Sequence, residues 1–152
     1  MNNSTFVYAT YIATTPEKLW QALTNGEFTK NYWFGRDLKS EWKEGSEVTF
    51  MDEEGKVTDK GVVLKSEPYT LLSYTFQWVD DTTINENPSI VTFELRELDS
   101  TVKLTLKHEN LPSTAFLDES EGFYGINNGW PAILSNLKSL LETGRTLPAI
   151  HI

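Results

Sequence analysis

The sequence predicts an α+β domain in which antiparallel strands form the sheet and the helices are segregated to one side of it. Three observations predict it. Two short helical patterns follow directly on a first strand, between residues 14 and 35. From residue 47 to residue 108 apolar residues recur at every second position within short runs, the period of half-buried strands. Beyond residue 128 the period changes to that of an amphipathic helix.

The first strand, Thr5 to Ile12, sets Phe6, Tyr8 and Ile12 against Val7, Ala9 and Tyr11. Apolar residues on both faces predict a strand covered on both sides for part of its length. Thr14-Thr15-Pro16-Glu17 then opens a helix. Proline loses nothing in a first turn, and a Thr hydroxyl can cap the free N–H groups there. Leu19, Trp20 and Leu23 form its buried stripe, and Asn25-Gly26 ends it. A second helix is expected from Glu27 to about Tyr32, closing near Gly35.

Glu47–Met51 reads as a short strand with Val48 and Phe50 on one face, followed by the polar turn Asp52-Glu53-Glu54-Gly55. A strand over Lys60–Ser66 stops at Pro68. Leu72, Tyr74, Phe76 and Trp78 alternate with Ser73, Thr75 and Gln77. Val91, Phe93 and Leu95, then Val102, Leu104 and Leu106, make a hairpin about Asp99-Ser100. The last helix places Trp130, Ile133, Leu134, Leu137, Leu140 and Leu141 on its buried face, with Lys138 and Glu142 wet. Gly144 is its expected C-terminal cap. Asn127 or Asn128 can cap its start, or helix can begin near Ser113 and kink at Gly129–Pro131.

One domain over residues 1–152 is expected, since no linker, repeat or low-complexity tract divides the chain. Thirteen basic residues stand against 22 acidic ones, a net charge of −9. That field repels phosphate backbones and anionic lipid, which argues against nucleic-acid and membrane-surface partners. The absence of Cys removes disulfides, thiolate metal sites and Cys nucleophiles together. With no signal-like leader and no apolar run long enough to span a bilayer, a cytoplasmic protein is expected.

No GxSxG, HExxH or Walker A pattern occurs. His108 and His151 are too few for a multi-His metal centre, and neither Asp80-Asp81 nor Asp118-Glu119-Ser120-Glu121 has EF-hand spacing. The acidic runs read as solvated loops, and neither a metal, a cofactor nor a catalytic residue is expected. Five Trp, six Tyr and eight Phe are the more telling feature. Tyr74, Phe76 and Trp78, with Phe50 and Phe93 on neighbouring strands, either fill the core or line a cavity. His108 continues the inward register of Val102, Leu104 and Leu106. It is either a hydrogen-bonded inward ring or an acid/base group at a cavity rim, with no carboxylate evident on the same face. Trp33-Phe34-Gly35 and Trp42 plug one end of the core or gate it.

TTPEKLWQALTNGEFTKNYWFG, GVVLKSEPYTLLSYTF, LTLKHENLP and GWPAILSNLKSLLETG occur in that order over almost the whole chain. Together they resemble the activator of heat-shock-protein-90 ATPase homologue (Aha-type) family of the START-like (SRPBCC) superfamily. The resemblance implies a helix-grip fold, an antiparallel sheet wrapped around a long C-terminal helix with a cavity between them. It offers no catalytic motif; Pro16, Trp20, Trp33, Pro68, His108, Gly129 and Trp130 match as fold signatures. The expected function is binding of a small hydrophobic molecule, aromatic, polyketide- or lipid-like. The expected contacts are Trp33, Phe50, Tyr74, Phe76, Trp78, Phe93, His108, Phe123 and Trp130. Interaction with a chaperone is the alternative that the resemblance implies, and a cyclase- or hydrolase-like enzyme is a third reading. A monomer or weak dimer is expected.

Overall fold

The computed structural model describes residues 4–79, 88–111 and 126–148. Strand β1 (Ser4–Ile12) is followed by helices α1 (Pro16–Thr24) and α2 (Gly26–Tyr32), and then by six strands. These are β2 (Asp37–Lys39), β3 (Glu47–Met51), β4 (Val57–Glu67), β5 (Leu71–Trp78), β6 (Ser89–Leu98) and β7 (Thr101–Leu111). Helix α3 (Ile126–Thr143) follows them. The strands form one antiparallel sheet in the order β1-β7-β6-β5-β4-β3-β2. The first strand therefore joins the sheet beside the last one.

Local chemistry sets the helix ends. Thr15 caps α1, its Oγ1 accepting from the Lys18 N–H at 3.2 Å, with Pro16 opening the helix. Asn25 serves both helices: it ends α1, and its Oδ1 accepts from the Glu27 N–H at 2.9 Å to start α2. At the other end of the chain Gly144 takes φ +82°, and its N–H donates to the Leu140 carbonyl at 2.9 Å.

One apolar cluster lies between sheet and helices. Leu19 and Leu23 of α1, Tyr32 of α2 and Trp130, Ile133, Leu134 and Leu137 of α3 meet the inner face of the sheet. Val48, Phe50, Leu72, Tyr74, Val91, Phe93, Val102, Leu104, Leu106 and His108 face inward, as the period-two pattern predicts.

Several expectations need correction. β1 is a sheet edge with one open face, Val7 and Tyr11 being 58% and 52% exposed, because the helices cover only the inner side. Strand β2 was not legible in the segment after Gly35, since three residues are too few to show a period. β4 runs beyond both expected ends, and Ser73, on the expected wet face, is buried. Leu140 and Leu141 are only partly buried. Asn127 and Asn128 lie inside α3 rather than before it, and Pro131 is internal to the helix. The possible earlier start near Ser113 lies outside the described residues, as do both acidic runs. Lys138 and Glu142 face outward but are bound: Lys138 Nζ donates to the Tyr11 carbonyl and to Glu142 Oε2, each at 2.6 Å. Glu142 Oε2 also accepts from the Ala13 N–H at 2.9 Å. The last turns of α3 are thereby tied to the end of β1.

Candidate functional site

Inward register and helix packing bring aromatic side chains from β3, β5, β7, α3 and the turn after α2 into one layer. Trp33 meets Trp130 at 5.1 Å between ring centres, Trp130 meets His108 at 5.9 Å, and His108 meets Phe76 at 5.7 Å. Phe76 meets Phe50 at 5.0 Å, and Phe50 returns to Trp33 at 5.5 Å. All five contacts are edge-to-face, the arrangement favoured by ring quadrupoles. Behind this closed circuit Phe93 packs on Trp130 at 5.9 Å, and Tyr74 packs on Phe50 and Phe93. Most of the space between sheet and α3 is thus filled by rings.

A gap of about 100 Å³ remains, lined by Trp33, Phe76, His108, Ile126, Gly129, Trp130 and Ile133. Drug-sized ligands usually occupy about 300–1,000 Å³, so this gap takes one ring or a short alkyl end.

His108 is 1% exposed and fully bonded. Trp130 Nε1–H donates to His108 Nδ1 at 3.0 Å, so Nδ1 must be the bare nitrogen and Nε2 carries the proton. Nε2 lies 3.0 Å from Ser89 Oγ, which donates onward to the Phe76 carbonyl at 2.6 Å. The relay fixes a neutral imidazole with both nitrogens in use. Burial pushes its pKa down from 6.5 to about 4, in the same sense.

The unfolded chain therefore binds a proton at this ring that the folded chain resists. Stability is expected to be level above pH 6.5 and to fall as the pH drops from there toward 4. Urea unfolding at pH 7 and pH 5 measures the slope, which should be smaller in His108→Gln. An identical slope in the variant would refute the assignment.

Of the residues named as contacts, Trp33, Phe76, His108 and Trp130 line the gap. Phe50, Tyr74 and Phe93 form the layer behind it. Trp78 does not join them: it is 57% exposed at the end of β5, beyond the covered part of the inner face. Phe123 lies outside the described residues. Among the described residues the buried Tyr74 hydroxyl has no hydrogen-bond partner, and its pKa is pushed well up by burial and by nearby Tyr32. Trp33 acts as a core plug and a gap wall at once, whereas Trp42 packs on Tyr74 at 6.1 Å.

Ser89 and Asp59 were not legible as site residues. Ser89 becomes a partner of His108 only through the β5–β6–β7 register, which places Phe76 opposite Ser89 and Val91 opposite His108. Asp59 stands opposite both Phe50 and Trp78, on the inner face. This is an inward carboxylate where none was expected.

The seven-stranded antiparallel sheet, the helix pair after β1 and the long α3 gripped by the sheet define a START-like, helix-grip protein. The family model described as "Activator of Hsp90 ATPase homolog 1-like protein" matches residues 13–142, and the chain belongs to that family. Among solved structures, ChR145 from Cytophaga hutchinsonii is 29% identical, with 93% of this chain and 96% of that one covered and a TM-score of 0.68. The protein MLL2253 from Mesorhizobium loti is 25% identical, covering 91% and 96%, with a TM-score of 0.69. PFC0360w, an HSP90 activator from Plasmodium falciparum, is 23% identical, covering 90% and 95% at a TM-score of 0.68, and shares the fold. No curated protein matches the chain. No helix among the described residues is long and apolar enough to cross a membrane.

Proposed function

We propose that this chain is a binding module for a small hydrophobic molecule whose flat or narrow apolar end enters the gap beside Trp33, Phe76 and Trp130. The observation that carries this reading is the gap itself, apolar on its walls and floored by a neutral His108. Because both His108 nitrogens are occupied by Trp130 and Ser89, the ring serves as a fixed wall rather than as a free acid or base.

Filling the gap with one apolar group contributes about 1.5–3 kcal/mol, so tighter binding needs contacts outside it. The test is a titration with 2-naphthylmethanol, followed by the indole N–H signals of Trp33 and Trp130. Saturable shifts are expected, and Ile133→Phe, which fills the gap, should abolish them. No saturable shift, or equal binding by Ile133→Phe, would overturn the reading.

A second reading, action on an Hsp90 ATPase, is favoured by the family description and by the charge of −9, which could steer a basic partner. ATP turnover by Hsp90 with and without saturating chain separates the two. A raised rate without small-molecule binding would replace the first reading; an unaltered rate would remove the second.

A further inference from the structure

We propose that Asp59 and Trp78 form the polar end of the same site and select ligands that carry a cationic amine on a flat apolar body. This rests on the ligand-binding reading above. Asp59 pairs with Phe50 on one side and with Trp78 on the other. Phe50 is fully buried on the inner face, so directly opposed Asp59 and Trp78 project from that face too. Trp78 lies two residues beyond Phe76 on β5, about 7 Å along the strand, and Phe76 is a wall of the gap. A carboxylate and an exposed indole thus share the inner face of β4 and β5 with Phe76, the wall of the gap.

Among the described residues no cation sits within pairing distance of the carboxylate. Asp59 Oδ2 accepts from Thr58 Oγ1 at 2.9 Å. Arg36 acts on it from beyond pairing distance, and partial burial still holds the carboxyl above its usual range. An ammonium group would supply the missing partner. Trp78 offers such a group an aromatic face; it is the most exposed aromatic residue among those described. The overall charge of −9 draws cations in and keeps carboxylates out.

Three probes with one naphthalene body test the selection: 2-naphthylmethylamine, 2-naphthylmethanol and 2-naphthoate, titrated calorimetrically into the full chain at pH 7. The amine should bind about tenfold more tightly than the alcohol, as an added ion pair and cation–π contact would give. The naphthoate should bind weakest. In Asp59→Asn the amine's advantage over the alcohol should fall to about threefold, the share left to the Trp78 face. In Trp78→Ala, a change at an exposed position, the amine's advantage should shrink to about threefold. An amine no tighter than the alcohol, or an advantage undiminished in Asp59→Asn, overturns the proposal. If amine and alcohol bind equally and Ile133→Phe abolishes both, the gap stands and this selection alone falls. If none of the three binds, both fall.

Discussion

Replacing Trp130 by Ala is expected to lower stability by about 3–5 kcal/mol, the cost of deleting a buried indole. Trp130 is 3% exposed and touches Trp33, Phe93 and His108, so its loss opens both ring layers at once. It also strips His108 Nδ1 of its donor in a dry site. Trp130→Phe separates the two contributions. It keeps most of the ring packing and should cost about 1–3 kcal/mol for the unpaired acceptor. Urea denaturation of the three proteins gives the comparison. Midpoints for Trp130→Ala and wild type that coincide would mean that α3 does not dock through this residue.

Gly61→Ala should be nearly as damaging despite adding one methyl group. A Cβ at Gly61 would lie 1.7 Å from the Thr75 carbonyl oxygen and 2.6 Å from its carbon. These are backbone atoms of the adjacent strand, so no rotamer change relieves the clash; β4 and β5 must separate locally. A cost on the order of 3 kcal/mol is expected, which lowers the melting midpoint by about 10 °C in a chain of this length. Hydrogen exchange should quicken at Lys60 and Val62 in the variant. A midpoint unmoved by Gly61→Ala would show that the strands do not approach this closely.

Most of the fold was legible because its signals are local. Thr15-Pro16 and Asn25 write the helix ends into adjacent residues, and Val48, Phe50, Phe93 and Leu106 follow a period that needs no partner. Phe76, His108 and Trp130 were legible as inward aromatic groups for the same reason, whereas Trp33, outside any period, was legible only as a plug or a gate. Alternation placed Trp78 on the inner face, but a period assigns a face without saying where the cover over that face ends. It also credited β1 with two covered faces, because Val7 and Tyr11 are apolar yet lie at an edge. The Ser89 relay and inward Asp59 depend on which strand lies beside which, a pairing between distant residues. Whether the rings filled the space was likewise beyond pattern reading, because packing is decided by side chains from several elements together.

The pairing of β1 with β7 also shapes how the chain reaches this structure. Phe6 lies opposite His108 and Ile12 opposite Val102, so the first strand finds its partner only after about two-thirds of the sequence has been made. Loop closure over such a span is entropically slow, and topologies rich in distant contacts fold more slowly than local ones. Until then STFVYATYI waits as an uncharged, β-prone segment with no Pro, Lys or Glu to discourage pairing with another chain. Of the seven strands, β1 is therefore the one that waits longest for its partner and is most open to intermolecular association.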